Sequence, residues 1–338
     1  MTTYQALQVT GEHNFHLVER ELLDPEPGQV RIRIEACGVC HSDVLAVEGL
    51  RADPSAPIVP GHEIVGVIDA IGPGVHAWHV GERVGVGFLG GHCGECDPCR
   101  RGDFVNCQHQ PTTGTTVDGG YAEYTYARVN GLVRVPAELS SIDAAPLLCA
   151  GLTVLSALRR ANAYPGALVA VQGIGGLGHL ALQYAKHLGF EVAAIARGTD
   201  KEPLARQLGA DHYLDSTVVD PATALKELGG AVAIVATAAD GASMSPLLPG
   251  LAPNGALMVV GAGGDPIAVD TADLLFGTRR VVGTLTGSAI ENEDNLKFSL
   301  ANGVRPMVEV VPWLEAPKAY AKMMAGQARF RMVLEMAG

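Results

Sequence analysis

Apolar and polar residues alternate in the first part of the chain, with the period of a strand that has one buried face. Residues 30–36 (VRIRIEA) follow this period, and residues 64–71 (IVGVIDAI) form a second strand-like apolar run that ends at a Gly72-Pro73-Gly74 turn. Residues 87–111 are rich in Gly, Cys and Pro and show no period, so we expect a long loop or lobe there. The pattern therefore predicts a β-rich first domain.

The pattern changes near Ala150, where short apolar runs begin to alternate with helix-like segments. The predicted strands cover 168–171, 192–196, 231–237, 256–260 and 281–285. The predicted helices cover 176–188, 201–208, 222–228 and 243–251. Such alternation indicates an α/β domain with a parallel, doubly wound sheet. We expect a helix over 290–301 to lead out of this domain and a last strand over 330–335 to return to the first one.

Composition and charge narrow the classes of function. Hydrophobic residues make up 48% and charged residues 18% of the chain, which is typical of a folded enzyme. The formal net charge of −12 argues against nucleic acid and anionic membranes as partners. A length of 338 residues exceeds the size at which one hydrophobic core stops growing, so we expect two domains. The chain shows neither a secretory signal nor an apolar run that would span a bilayer, so we predict a cytoplasmic protein.

Four of the seven cysteines lie in the predicted lobe, at Cys93, Cys96, Cys99 and Cys107. Four thiolates so close in sequence can surround one ion tetrahedrally and leave no open position, which is the structural type of zinc site. The alternative is a set of free or disulfide-bonded cysteines, which this spacing disfavours in a chain without an export signal. The sequence therefore predicts a lobe that zinc stabilises.

A glycine-rich motif, GIGGLG at 173–178, follows a predicted strand and opens a predicted helix. This is the context of a dinucleotide-binding fingerprint, in which backbone without side chains approaches a pyrophosphate at a helix N-terminus. The alternative is a glycine turn with a purely structural role. We predict cofactor contacts from five of its residues: Gly173, Gly175, Gly176, Leu177 and Gly178.

Three further segments hold metal-ligating residue types: GVCHSD at 38–43, GHE at 61–63 and LCA at 148–150. Two thiolates and one imidazole, with an open fourth position, describe a catalytic zinc site. Distance along the sequence does not say whether these segments meet. Taken singly, a buried Cys149 and a packed His62 are the simpler interpretations.

Together these motifs resemble the zinc-dependent alcohol dehydrogenases of the medium-chain dehydrogenase/reductase superfamily. The matching pieces, in the family's order, are CGVCHSD at 37–43, GHE at 61–63, the cysteines of 93–107, CAGLT at 149–153 and GIGGLG at 173–178. The resemblance implies a β-rich GroES-like catalytic domain over 1–149 and 300–338. It also implies a Rossmann-type dinucleotide-binding domain over 150–299. The implied enzyme moves hydride between NADP(H) or NAD(H) and an alcohol, aldehyde or ketone.

The resemblance also assigns metal-site roles to individual residues. By it, Cys40, His62 and Cys149 ligate a catalytic zinc, so the chain binds two zinc ions. Asp43 would hold the tautomer of His62. Glu63 would lie beside the ion and assist ligand exchange.

Proton transfer and ligand contacts follow from the same resemblance. Ser42 would accept the alcohol proton, but Leu45 stands where many relatives have the histidine that ends the proton relay. The proton would then leave through the cofactor ribose and water, or by another route. Further cofactor contacts are expected from His41, Thr153 and Arg331. An apolar substrate pocket is expected from Val47, Leu50 and Phe88.

The end of the second strand of the fingerprint indicates which cofactor is preferred. An acidic residue there hydrogen-bonds the ribose 2′-hydroxyl of NAD, whereas an Arg accommodates the 2′-phosphate of NADP. Ala196 and Arg197 stand at this place, with Lys201 close by in sequence. We therefore predict NADP as the preferred cofactor. In the alternative, Arg197 is a solvated loop residue and Asp200 turns inward to hold NAD.

Two other functions compete with that of the enzyme. A zinc-free enone or quinone reductase of the same superfamily would lack Cys40 and the cysteine lobe, both of which are present. A non-catalytic sensor or scaffold that zinc stabilises and that binds a dinucleotide is disfavoured by the intact Cys40, His62 and Cys149. The partners expected are a small-molecule substrate and, by the resemblance, further copies of the chain in a homodimer or homotetramer.

Overall fold

The structure, a computed structural model, describes residues 2–11 and 13–336. It divides into two compact units, Met1–Leu152 with Thr286–Gly338 and Thr153–Leu285. The strands over the described residues are β1 (Thr3–Val9), β2 (Phe15–Glu21), β3 (Gln29–Val39), β4 (Glu63–Ile71), β5 (Arg83–Val86), β6 (Tyr124–Arg128), β7 (Leu132–Arg134), β8 (Leu168–Gln172), β9 (Glu191–Ala196), β10 (His212–Asp215), β11 (Ala231–Ala236), β12 (Leu251–Val259), β13 (Arg280–Gly283), β14 (Val308–Pro312) and β15 (Arg331–Glu335).

Helices connect most of these strands. The α-helices are α1 (Val44–Val47), α2 (Asp97–Arg100), α3 (Ser141–Pro146), α4 (Leu152–Arg160), α5 (Gly178–His187), α6 (Glu202–Gln207), α7 (Pro221–Glu227), α8 (Gly241–Met244), α9 (Thr271–Gly277), α10 (Ala289–Asn302) and α11 (Ala316–Met324). Short 3-10 helices cover His41–Asp43, Val129–Gly131, Ser245–Gly250 and Trp313–Glu315, and a π-helical turn covers Leu147–Gly151.

The second unit is built on a parallel sheet of six strands in the order β10-β9-β8-β11-β12-β13. This is the strand order of a Rossmann fold, with the fingerprint strand β8 near the middle. All five residues of β8 are buried, as expected for a strand covered on both faces. The predicted doubly wound domain is therefore confirmed.

One helix of this unit differs from its prediction. The segment 243–251 was predicted as a single helix, but α8 ends at Met244 and a 3-10 helix continues over Ser245–Gly250. Pro246 and Pro249 explain the difference, because proline lacks the N–H that a continuing α-helix needs.

The first unit contains a seven-stranded sheet. Six strands follow the order β14-β15-β3-β4-β5-β7, and β6 pairs with β3; a separate ribbon joins β1 to β2. The alternation seen in 30–36 places Val30, Ile32 and Ile34 in the core. The last strand, β15, pairs antiparallel with β3, so the end of the chain returns to the first domain as predicted.

The second boundary between the units lies earlier than predicted. We expected it between 299 and 300, whereas the structure divides after Leu285 and α10 joins the first unit. Two buried amides account for this: Asn292 Nδ2 donates to the carbonyl of Leu148 at 2.8 Å, and Asn295 Nδ2 donates to the carbonyl of Leu147 at 2.9 Å. The helical pattern of 290–301 was predicted, but the partner of its polar face was not.

One helical stretch, Ser141–Arg160, is long and apolar enough to cross a membrane by length and composition alone. Of its most apolar window, 83% is buried inside the protein. A core helix passes the same test, so this stretch is weak support for a membrane span.

Candidate functional site

Cys40, His62, Glu63 and Cys149 meet in the first unit. One ligand atom from each lies within 4.8 Å of the others, and all four residues are buried. Cys40 follows the last residue of β3, and Glu63 opens β4, which runs antiparallel to β3 with Gly38 opposite Glu63. Cys149 comes from the π-helical turn. The sheet and this turn thus join the three segments that the sequence left separate.

His62 is held in one orientation by Asp43. Its Nδ1 lies 3.0 Å from Oδ1 of Asp43, and the backbone N–H of Cys40 donates to the other carboxylate oxygen at 2.9 Å. His62 Nε2 is buried and has no hydrogen-bond partner among the described residues. The arrangement leaves Nε2 as a ligand atom and fixes the tautomer.

Glu63 forms a buried ion pair with Arg331, a residue of β15. Burial raises the pKa of Glu63 to about 8, and the charge of Arg331 opposes this effect. A Cβ atom at Gly38 would lie 1.8 Å from Oε2 of Glu63, so the glycine of the CGVCHSD motif makes room for this carboxylate. Removing either partner would leave the other polar group buried without its counterpart, which is strongly destabilising.

The other residues predicted for this site differ in how far they are buried and in what they contact. Ser42 is half-buried and His41 exposed on the same 3-10 helix, and Phe88 meets the ring of His62 edge-on at 5.0 Å. Leu50 is 64% exposed. Val47, in the single-turn helix α1, is fully buried in the hydrophobic core of the first unit, and its predicted contact with the substrate stays a prediction.

The four cysteines of the lobe also converge. Their sulfur atoms lie within 4.8 Å of one another, with Cys93 and Cys99 at 4.0 Å and Cys96 and Cys107 at 4.0 Å. Backbone N–H groups of Cys96 and His109 point at two of these sulfurs, at 3.4 Å each. These N–H groups stabilise thiolates, and the backbone of Glu95 contributes most to lowering the pKa of Cys93 to about 6. A disulfide bond is excluded, because it requires about 2.05 Å.

Both clusters fit zinc. Two thiolates at about 2.3 Å from one tetrahedral ion stand about 3.8 Å apart. Cys40 and Cys149 have their sulfurs 4.0 Å apart, as do the pairs in the lobe. The hydrogen bond between the two thiols lowers the pKa of Cys40 well below its usual value, although burial opposes this, and the same bond raises the pKa of Cys149 well above its usual value.

In the second unit, Gly173, Gly175 and Gly178 of the fingerprint each lack a side chain for a different structural reason. Gly173 has φ +87°, a conformation that favours glycine, and turns the chain out of β8. A Cβ at Gly178 would lie 1.8 Å from the carbonyl oxygen of Gly173, so the first turn of α5 needs a glycine. Nothing lies within 4 Å of a Cβ built on Gly175, which leaves this backbone open to a ligand. These features match the family's use of the motif.

A cleft of about 900 Å³ lies at the carboxyl ends of the strands of this sheet. Gly173, Arg197 and Lys201 line it, and Lys201 Nζ donates to the carbonyl of Ile174 at 2.9 Å. Ser216, Thr217, Asp220 and Asp240 also line the cleft, whereas Asp200 and Thr153 do not. His41 and Arg331 belong to the first unit.

Sequence reasoning missed three side chains of the first unit that support the Cys40, His62 and Cys149 set. Tyr121 donates to Asp43, and Asn292 and Asn295 hold the π-helical turn. No local pattern marks these residues, since each acts on a segment more than 75 residues away in the sequence.

Comparison with known proteins identifies the family. A family model described as "Alcohol dehydrogenase GroES-like domain" matches residues 26–137, and one described as "Zinc-binding dehydrogenase" matches residues 176–302. "Alcohol dehydrogenase notN" of Aspergillus sp. (strain MF297-2) is 42% identical over 325 residues, covering 96% of this chain and 95% of that protein.

Solved structures agree with this. The CAD of Helicobacter pylori complexed with NADP(H) is 27% identical with a TM-score of 0.84, covering 99% of this chain and 98% of that one. The acetophenone reductase of Geotrichum candidum NBRC 4597 in complex with NAD is 29% identical with a TM-score of 0.88, covering 98% and 97%.

The chain therefore belongs to the zinc-binding alcohol dehydrogenases of the medium-chain dehydrogenase/reductase superfamily. It is an NAD(P)-dependent oxidoreductase, and the predicted family, fold class and activity are confirmed. The comparisons support the catalytic interpretation and not the sensor or scaffold.

Proposed function

We propose that this alcohol dehydrogenase binds two zinc ions per chain and that only one of them takes part in the reaction. The observation that carries the proposal is the contrast between the two ligand sets. The lobe offers four thiols and no open position, whereas Cys40, His62 and Cys149 offer three ligands, with Glu63 engaged by Arg331. A set of three protein ligands is the arrangement that leaves room for a substrate oxygen.

When bound at this set, zinc supplies Lewis acidity toward the substrate oxygen, and the nicotinamide supplies the hydride chemistry. Asp43 orients His62, and Ser42 accepts the proton of the alcohol hydroxyl during oxidation and returns it during reduction. Leu45 cannot carry a proton, so this proton leaves by the cofactor ribose and water or by another route. Leu50 and Phe88 favour an apolar alcohol, aldehyde or ketone over a charged sugar.

We propose NADP(H) as the preferred cofactor. The cleft of the second unit supports this, because Arg197 and Lys201 line it while Asp200 does not. An arginine offers charge-assisted, bidentate hydrogen bonds to a phosphate. Ser216 and Thr217 add hydroxyl groups to the same cleft, although Asp220 and Asp240 add negative charge. Arg197 is thus the residue that we expect to recognise the 2′-phosphate.

We propose that the enzyme works in the cytoplasm as a homodimer or homotetramer. Seven unpaired cysteines, six of them in the two ligand sets, support a reducing compartment.

For the oligomer, Leu275 and Phe276, which are 72% and 86% exposed, support self-association. They line a cavity of about 1200 Å³ that also includes Arg280 of the edge strand β13.

One paired measurement tests the enzymatic proposal: zinc content per chain, together with turnover of a simple aldehyde with NADPH and with NADH. We expect two zinc ions per chain and a lower KM for NADPH than for NADH. Cys149→Ser should lose one zinc and the activity while the lobe keeps its ion. Cys99→Ser should instead lose the lobe zinc and lower thermal stability. Fully active protein with a single zinc would contradict the proposal.

A further inference from the structure

The phenol of Tyr121 ends in the hydrogen-bond network of the Cys40, His62 and Cys149 set. Tyr121 is completely buried in the core of the first unit, and its hydroxyl donates to Oδ2 of Asp43 at 2.9 Å. Burial, and then the charge of Asp43, raises the pKa of Tyr121 well above its usual value. The phenol therefore stays protonated and acts as a donor.

Asp43 accepts hydrogen bonds from three donors, one in its own turn and two from distant segments of the chain. Its Oδ1 bonds Nδ1 of His62 at 3.0 Å, and its Oδ2 accepts from the backbone of Cys40 at 2.9 Å and from Tyr121 at 2.9 Å. Asp43 is only 3% exposed, so water is poorly placed to replace a donor that is lost. The position of the carboxylate, and through it that of His62, thus depends on Tyr121.

The ring of Tyr121 also packs against the backbone that carries His62. Gly61 has φ +97°, and a Cβ built there would lie 2.5 Å from Cδ1 of Tyr121. The aromatic ring occupies the space that a side chain at position 61 would need. A Tyr121→Phe substitution would keep this contact and remove only the hydroxyl.

We propose that Tyr121 is a positioning residue for the zinc site, which holds Asp43 so that Asp43 holds His62. This inference rests on the proposed function of Cys40, His62 and Cys149. Partners beyond the ligands of a metal site commonly change metal affinity about 10–100-fold when they are removed. Tyr121 is one hydrogen bond further from the ligand His62 than Asp43 is, so we expect a change in zinc affinity near the lower end of this range.

The test is the rate at which the zinc-loaded protein releases each ion to a chromogenic chelator. In Tyr121→Phe, one zinc ion per chain should leave about tenfold faster than in the wild type. The second ion should leave at the wild-type rate, which also shows that the lobe is folded. Tyr320→Phe is the matched control, because Tyr320 is buried in the same unit and its hydroxyl donates to Glu48 at 2.9 Å, not to Asp43. We expect no change in the control.

A double-mutant cycle separates positioning from a general loss of stability. If Tyr121 acts through Asp43, Tyr121→Phe should have no further effect in an Asp43→Ala background, which removes the acceptor of the Tyr121 hydroxyl. Additive effects on zinc release, or a Tyr121→Phe protein that releases zinc as slowly as the wild type or more slowly, would overturn the inference. A wild type that binds a single zinc would instead overturn the proposed function.

Discussion

At the residue scale, the chemistry of the first unit depends on side chains that water cannot reach. Asp43, Glu63 and Arg331 are buried charged residues, and each has an opposite charge or a hydrogen-bond donor as its partner. Such groups are costly to bury alone. Removing one partner therefore lowers the stability of the fold strongly, because the other group stays buried without compensation. Ser42 differs, since it is half-buried, and it is the residue that we propose as the acceptor of the substrate proton.

Replacing Ser42 tests proton transfer directly. We expect Ser42→Ala to lower kcat for alcohol oxidation, because a positioned proton acceptor contributes about 10²–10⁴-fold. Both zinc ions should remain bound. Ser55→Ala, at an exposed serine of the same unit that bonds Asp53, serves as control and should keep wild-type turnover. Steady-state kinetics with unchanged kcat in Ser42→Ala would rule out this role.

Replacing Arg197 tests cofactor choice. We expect Arg197→Ala to raise KM for NADPH about 10–100-fold, because a hydrogen bond between charged groups contributes about 1.5–3 kcal/mol. KM for NADH should change little. Arg159→Ala is the control, since Arg159 is an exposed arginine that does not line the cleft. If the unmodified enzyme prefers NADH in the same assay, the assignment of Arg197 is wrong.

At the scale of elements, an irregular turn supplies one ligand. Cys149 lies in the π-helical turn Leu147–Gly151 between α3 and α4, and such turns leave carbonyl groups without their usual helical partners. Asn292 and Asn295 of α10 donate to the carbonyls of Leu148 and Leu147 in this turn, the second of which also accepts from the backbone N–H of Leu152. The position of Cys149 therefore depends on a helix that lies more than 140 residues away in the sequence.

Removing one of these amides should loosen the turn. In Asn295→Ala, the carbonyl of Leu147 keeps the bond from the backbone N–H of Leu152 but loses its side-chain donor, and one hydrogen bond typically contributes about 0.5–1.5 kcal/mol. We expect a lower thermal midpoint and faster loss of one zinc ion to a chelator. Asn302→Ala, on the same helix, loses only a bond to the carbonyl of Phe298 and should affect zinc release little. Equal zinc release by the two variants would show that α10 does not support the turn.

At the scale of the whole molecule, each unit has its own sheet and core. The sheet of the second unit ends in β13, a parallel strand with a free edge among the described residues. Free strand edges with exposed apolar side chains nearby are prone to pair with another chain. Leu275 and Phe276 of α9 are exposed apolar side chains, and they line the same cavity as Arg280 of β13.

A charge on this surface should disturb assembly. We expect Phe276→Asp to shift the protein to a smaller species in light scattering coupled to size-exclusion chromatography, because burial of a carboxylate opposes association. Val80→Asp, at a residue of the first unit that is 61% exposed, should leave the mass unchanged. A wild type that is monomeric at micromolar concentration would contradict the proposed oligomer.

The sequence by itself determined the features that depend on neighbouring residues. The four cysteines of the lobe lie within 15 positions, and the glycine fingerprint lies between one strand and one helix. Local chain geometry is enough to bring such groups together, so both motifs were predicted with their residues. The hydrophobic pattern likewise predicted β3, β8 and β15, since alternation and continuous apolar runs reflect how a strand is buried.

Only the tertiary structure decided which distant residues meet and which side of an element is buried. It joined Cys40, His62 and Cys149, which the sequence alone left apart, and added Tyr121 and the asparagines of α10. It also turned Val47 into the core and moved α10 into the first unit. These outcomes depend on how strands pair and helices pack over long sequence separations, and no local pattern records those contacts.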